Sequence, residues 1–235
     1  MDRNIGSHNI ILRLIPVFLI VTIISSCSTF NDSLLVKNIK KEPNNKNYIF
    51  DLYQYYEKNA MISDQLLTMW IYLIKTDDNQ RAKELLDVFY KRLYTLPSGL
   101  NKETIYLNSE DLLSNERTFN VSMDLVFGMG KNKILKDEYK NKPYMEKNVE
   151  FFRNYLTIVS AMYKKEDKNK LKKNFAVWFF MPYFTELVEN NFIEPFTYKI
   201  FSYNATDEIN NWIKNNVTKM KEFIQWSDQY NWNKK

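Results

Sequence analysis

The sequence predicts an all-α protein built from antiparallel helical hairpins. Through most of the chain after residue 47, apolar residues recur three and four positions apart, which is the spacing of amphipathic helices. No segment alternates apolar and polar residues between hairpin turns, and only three glycines follow residue 26, too few for a turn-rich β fold. Hydrophobic residues make up 45% of the chain, so we expect a packed core rather than disorder.

The first predicted elements are three helices and a long loop. One helix begins near Tyr48, Ser63 and Asp64 can cap a second, and the polar turn KTDDNQ leads into a third that ends before Pro97. Residues 98–117 are the least regular part and predict a loop. The inward faces of the second and third helices are predicted to be Leu66, Leu67, Trp70, Leu73 and Ile74, and then Ala82, Leu85, Leu86, Phe89, Tyr90 and Leu93.

The middle of the chain predicts one short and one long helix. The short helix covers about Phe119 to Phe127, and Gly128 and Gly130 are expected to break it. A polar connection over 131–144 then leads to a strong helix at about 144–164, whose apolar residues are spaced almost as a heptad.

The last third of the chain predicts shorter helices. The run LKKNFAVWFF places Leu171 and Phe175 on one face, Pro182 is expected to kink or end this helix, and a second segment continues to residue 190. Pro195 can open a short helix, and Thr206 can cap a C-terminal pair. The inward residues of that pair are predicted to be Ile209, Trp212, Ile213, Met220, Phe223 and Ile224.

The N-terminus has the pattern of an export signal. Arg3 and Arg13 precede the apolar run Leu14–Ile24, which contains Pro16 and is about half the ~20 residues that a spanning helix needs. Ile24-Ser25-Ser26-Cys27 follows, and this resembles the lipobox of bacterial lipoproteins: an aliphatic residue, two small residues and a cysteine.

The lipobox resemblance implies that Cys27, the only cysteine, carries a diacylglycerol thioether and becomes the first residue after cleavage. The alternative is a free or buried thiol. We therefore expect a signal peptide over 1–26, a lipidated N-terminus and flexible tether over 27–47, and one all-α domain over 48–235. Ser28 after the cysteine favours the outer membrane over the inner one in a bacterial envelope. Cleavage would leave 31 basic and 27 acidic residues, since Asp2, Arg3 and Arg13 are removed.

Two stretches share a layout that resembles the helix–turn–helix of tetratricopeptide (TPR) repeats. From Asp78 and from Asp167, apolar residues follow at plus four, plus eight and plus eleven. The two units lie 89 residues apart, which is not a multiple of the ~34-residue TPR period, and Leu171 stands where that family prefers alanine. The sequence leaves two architectures open, a TPR-like α-solenoid and an irregular helical bundle.

Several chemistries are excluded or disfavoured. The only histidine, His8, lies in the predicted leader, so Ser-His-Asp and Cys-His catalysis and histidine or cysteine metal sites are absent from residues 28–235. FGMGKN at 127–132 resembles part of a phosphate loop but lacks its first glycine and its Ser or Thr. No cofactor and no nucleic-acid partner is predicted, since no dense basic tract occurs. The remaining acids for a carboxylate-dependent hydrolase are Glu110, Asp111, Glu116, Glu186 and Glu189.

Three aromatic residues near the C-terminus are the candidate binding residues: Trp226, Tyr230 and Trp232. Exposed, they would offer stacking faces for a glycan or an anchor for a protein; packed inward, they would cap the last helices.

These observations lead to three functional hypotheses. The first is a non-enzymatic envelope lipoprotein, anchored in the membrane by its N-terminal lipid, whose helical domain binds or scaffolds a protein partner. The second is a glycan- or peptide-binding module of an uptake system. The third is a carboxylate-dependent cell-wall hydrolase.

Overall fold

The computed structural model describes residues 34–94 and 118–233, and within these ranges the chain forms helices and no strand. The all-α prediction is confirmed. The α-helices are α1 (34–41), α2 (Lys46–Lys58), α3 (Ile62–Lys75), α4 (Asn79–Tyr94), α5 (Thr118–Ile134), α6 (Tyr144–Lys165), α7 (Lys168–Leu171), α8 (Phe175–Glu189), α9 (Ile193–Phe201), α10 (Asp207–Asn215) and α11 (Val217–Asp228), with 3-10 turns at Asp137–Tyr139 and Ser202–Asn204. None of the described helices has the length and hydropathy needed to cross a bilayer.

Helix α3 is the centre of the fold. Every residue from Ser63 to Ile74 is buried, because α2, α5, α8 and α9 pack around it. In a solenoid each unit contacts only its neighbours along the chain, whereas α3 contacts helices that are more than 100 residues away. The arrangement is therefore that of an irregular bundle around one buried helix.

Trp70 lies at the middle of α3 and organises the aromatic core. Its ring meets those of Phe89, Phe152, Tyr155 and Phe184 at centroid distances of 5.1 to 5.9 Å, each close to edge-to-face. Such pairs contribute ~0.5–1.5 kcal/mol each beyond the burial of their area. The Trp70 side chain therefore links α3 to α4, α6 and α8.

The prediction of a flexible tether up to residue 47 is wrong for residues 34–47. Residues 34–41 form α1, Ile39 is fully buried, and Asn44 accepts a hydrogen bond from the indole N–H of Trp232 at 3.1 Å. The sequence signal was weak because α1 is short and three lysines interrupt its apolar face. The predicted loop over 98–117 lies outside the described residues.

Helix α5 does not break at its glycines but runs on to Ile134. A Cβ on Gly130 would lie 3.2 Å from Cδ2 of Phe151, so the missing side chain lets α5 approach α6 closely. The glycine that was expected to end the helix is instead a packing contact.

Helix α8 continues through Pro182, because its neighbours Phe180, Met181, Tyr183 and Phe184 are all buried and their packing outweighs the ~3 kcal/mol cost of the proline. The two TPR-like stretches differ in structure. Asp78 leads directly into the long helix α4, whereas Asp167 leads into the short helix α7, and α8 begins only at Phe175. The Asp78 carboxylate accepts a hydrogen bond from the Arg81 backbone N–H in the first turn of α4, whereas Asp167 caps the four-residue α7.

Two residues that were predicted to face inward are exposed. Tyr90 on α4 is 47% exposed and Ile224 on α11 is 39% exposed. The predicted helices at 144–164, at Pro195–Phe201 and after the Thr206 cap are confirmed by α6, α9 and α10.

Candidate functional site

The C-terminal aromatic residues form a packed cluster. Trp232 is 4% exposed and stacks on Phe179 and Tyr183 at 5.4 Å, with interplanar angles of 3° and 6°. Tyr230 is also buried, and Trp226 is half-buried 4.8 Å from the Tyr183 ring. This is the capping arrangement, in which the rings pack over α8 and only Trp226 remains partly exposed. Cys27 lies outside the described residues.

Of the acidic residues of the hydrolase hypothesis, the two that the structure describes, Glu186 and Glu189, each pair with another side chain. Glu186 accepts a hydrogen bond from the Tyr230 hydroxyl at 3.3 Å, and Glu189 forms an ion pair with Lys164 at 2.6 Å. Glu110, Asp111 and Glu116 lie outside the described residues. Among the described residues, no group of three His, Cys, Asp or Glu side chains could hold a metal ion.

A polar network is buried at the start of α3. Asp64 is fully buried and accepts a hydrogen bond from Asn120 of α5 at 3.0 Å, while the Ser63 hydroxyl donates to the carboxylate of Asp124. Asn174 donates to Asn120 at 2.9 Å and, with its own oxygen, caps the first turn of α8. The network therefore ties together the N-terminal ends of three helices that are distant in sequence.

A second set of polar contacts connects α3 to α2 and α4. Arg92 donates to Gln65 at 2.9 Å, and Tyr53 donates to Glu57 at 2.9 Å. Burial lowers the pKa of Arg92, and burial together with the Glu57 hydrogen bond raises the pKa of Tyr53 to about 12. Tyr53 and Gln65 are buried, Arg92 is half-buried and Glu57 is exposed, and their mutual hydrogen bonds help to specify how α2, α3 and α4 pack.

A surface cluster of three tyrosines, the tyrosine patch, lies where α4 ends and α6 begins. It consists of Tyr90, Tyr94 and Tyr144, whose ring centroids are 4.8 to 6.1 Å apart. Tyr90 is 47% exposed and the other two are half-buried. The Tyr144 ring also meets Phe201 edge-on at 5.7 Å, which connects the patch to the core.

The tyrosine patch is held rigidly. The Tyr94 hydroxyl donates to the side-chain oxygen of Asn148 at 3.0 Å, and the amide of this fully buried Asn148 donates to the Tyr144 carbonyl at 3.0 Å. Burial raises the pKa of Tyr94, with Tyr144 and Tyr90 adding to the shift. A partner would meet rings that are already ordered, which reduces the entropy lost on binding.

Two carboxylates act electrostatically on the tyrosine patch. Burial raises the pKa of Tyr144 to about 12, a hydrogen bond with Asn148 opposes the shift, and the negative charges of Asp87 and Glu208 add to it. Both carboxylates are on exposed or half-exposed residues. The patch therefore combines aromatic faces with negative charge.

Sequence analysis did not identify the tyrosine patch. The available signal was that Tyr90 and Tyr94 are four residues apart and so share one face of a helix. That face was assigned to the core, although Phe89 and Leu93, which are also four apart, already provide the inward stripe.

A comparison of the chain with protein-family models, curated proteins and solved structures finds no match.

Proposed function

We propose that this chain is a non-enzymatic bacterial envelope lipoprotein that binds a protein partner through the tyrosine patch. The observation that carries the proposal is the patch itself, an exposed, pre-ordered aromatic surface at the junction of α4 and α6. Tyrosine is enriched among the residues that dominate binding energy at protein interfaces. Its large ring and polar hydroxyl give contact area with few rotatable bonds.

The membrane anchor in this proposal is the lipid on Cys27. The lipobox Ile24-Ser25-Ser26-Cys27 supports it, and the described residues begin at residue 34, seven residues after the cysteine. A lipid-anchored domain with no second cysteine must be held together by packing alone, and the core around Trp70 supplies that packing. A diacylglycerol provides two chains, enough for stable anchoring, since each buried methylene contributes ~0.8 kcal/mol.

The anchor is tested by Cys27→Ser in the source bacterium. We expect the variant to leave the membrane fraction in a high-salt wash, which weakens electrostatic contacts, or to keep its leader. The native chain should resist that wash and show by intact mass a lipid adduct on a chain that begins at residue 27. A native chain with an unmodified thiol and normal fractionation would overturn the anchoring part of the proposal.

Partner binding is tested by a photo-crosslinking amino acid placed at Tyr90. The matched control is Ile158 on α6, which is also a large side chain and is 40% exposed. It lies 14 residues beyond Tyr144, away from the tyrosine patch. We expect one reproducible protein adduct from position 90 that is absent from position 158. No adduct at position 90, or the same adducts at both positions, would count against the tyrosine patch as the binding surface.

A glycan is the second candidate ligand, because aromatic faces flanked by carboxylates also bind sugars. Titration with cell-wall glycan fragments separates the two. Saturable binding that Tyr90→Ala abolishes, together with no protein adduct, would favour the glycan-binding module over a protein-binding lipoprotein.

A further inference from the structure

We propose that a lysine-rich surface, formed by α1 and residues 166–174, binds the anionic headgroups of the membrane that holds the protein. This inference rests on the proposed anchoring at Cys27 and adds a second contact between the folded body and the bilayer. The surface is defined by Lys37, Lys40, Lys41, Lys168, Lys170, Lys172 and Lys173, all of which are on exposed residues.

The net charge of the chain after residue 26 is concentrated on this surface. Residues 34–42 and 166–174 hold seven lysines against three acids, Glu42, Glu166 and Asp167, an excess of four positive charges. The rest of residues 27–235 holds 24 basic and 24 acidic residues and is neutral. If these lysines served only to keep the protein hydrated, the excess positive charge would be distributed over the whole surface. A surface that binds an anionic partner instead has the positive charge in one place.

The fold brings the two segments together. Ile39 fixes α1 to the core, and the Lys40 ammonium lies 5.0 Å from the Trp178 ring centroid and 5.9 Å from that of Phe175. Phe175 begins α8, directly after the second segment. Lys40 of α1 is therefore held against the start of α8, and Phe175 is the residue directly after the second lysine segment, which lies about 130 residues away in sequence.

The short distance to the anchored Cys27 indicates that the lysine-rich surface contacts the membrane. Six residues separate Cys27 from residue 34, and an extended chain spans at most ~3.6 Å per residue, so the start of α1 lies within about 25 Å of the anchored cysteine. The lysines thus stay close to the headgroups at high effective concentration. Each lysine near an anionic leaflet contributes ~1 kcal/mol of attraction.

The test uses residues 27–235 with Cys27→Ser, which binds no lipid covalently, so its outcome is independent of the anchoring experiment. Co-sedimentation is measured with vesicles of phosphatidylcholine alone and of phosphatidylcholine mixed with phosphatidylglycerol. We expect binding to the anionic vesicles only, and we expect high salt to weaken it.

Two variants with the same change of net charge locate the surface. Lys37→Gln/Lys170→Gln should bind anionic vesicles about thirtyfold more weakly, from ~1 kcal/mol per lysine. Lys214→Gln/Lys221→Gln, which removes exposed lysines from α10 and α11, should lose much less. Circular dichroism checks that both variants keep their helices.

Three outcomes would overturn the proposal: equal binding to neutral and anionic vesicles, equal losses in the two double variants, or binding of soluble polyglutamate without vesicle binding. The last would indicate an acidic protein as the occupant. A failure of lipid attachment at Cys27 would appear instead as an unmodified thiol in the intact mass, so the two failures are distinguishable.

Discussion

The hydroxyl of Tyr203 links the stability of the fold to alkaline pH. Tyr203 is 8% exposed and donates a hydrogen bond of 2.5 Å to the Thr76 carbonyl oxygen at the end of α3. Burial, with smaller contributions from Tyr72 and Asp77, raises the pKa of Tyr203 to about 12 from 10.0. Because the folded pKa lies above the unfolded one, this stabilisation is complete below about pH 10 and is lost as the pH rises towards 12.

We predict that Tyr203→Phe lowers the free energy of unfolding by ~1–2 kcal/mol at neutral pH, since the buried Thr76 carbonyl loses this donor. A pKa difference of about two units corresponds to ~2.7 kcal/mol, and about half of it is lost from the native protein by pH 11. Phenylalanine at position 203 cannot ionise, so the variant does not lose this part of its stability as the pH rises. The stability difference between the two proteins should therefore shrink by ~1.3 kcal/mol between about pH 9 and pH 11.

The measurement is urea unfolding at neutral pH, pH 9 and pH 11, followed by tryptophan fluorescence. Phe196→Leu is the control, because Phe196 is fully buried in α9, just before Tyr203, and its ring meets those of Phe152, Phe184 and Phe223, none of which titrates. Its cost should be the same at all three pH values. A Tyr203→Phe deficit that also stays constant from neutral pH to pH 11 would refute the linkage to this phenol.

Two further changes test the helix junctions. Asn174→Ala removes both the cap of α8 and the hydrogen bond to Asn120, so we expect urea unfolding to show ~2 kcal/mol of destabilisation. The control, Asp167→Ala at the cap of α7, should cost under ~1 kcal/mol. Equal losses in the two variants would contradict the network. Gly130→Val forces a side chain against Phe151 and should destabilise the fold by ~1–3 kcal/mol. In the double variant, Phe151→Leu should relieve part of this cost. If the two single-variant costs simply add, the residues do not clash.

Long amphipathic helices were predictable from sequence because their periodicity repeats over many turns. The helix expected at 144–164 is α6 within one residue at its C-terminal end, and the Thr206 cap begins α10 as expected. These features depend on local spacing and local hydrogen bonds, which a single sequence contains.

Features that depend on distant neighbours were not predictable. The glycine at 130 resembles a helix terminator until Phe151 is known to lie against it, and the lysines of α1 conceal the one residue, Ile39, that inserts into the core. The tyrosine patch was missed for the same reason. Whether Tyr90 faces inward depends on where α6 begins, because the Tyr144 ring is what Tyr90 contacts.

The two proposed surfaces lie at opposite ends of one helix. Tyr144 is the first residue of α6, and the lysine segment 166–174 follows its last residue, so 22 residues at 1.5 Å each separate them by ~33 Å. Because α6 is packed along its length by α5, α8 and α9, this separation is fixed. The two surfaces are therefore far enough apart for a bilayer and a protein partner to bind without sharing residues.

This geometry predicts that the two binding activities are independent. Lys37→Gln/Lys170→Gln should leave the yield of the position-90 crosslink unchanged per anchored molecule, and Tyr90→Ala should leave binding to anionic vesicles unchanged. Both are measured with the assays already defined for each surface. Loss of the crosslink in the lysine variant, or loss of vesicle binding in the tyrosine variant, would mean that the surfaces act as one site, which a rigid separation of ~33 Å does not allow.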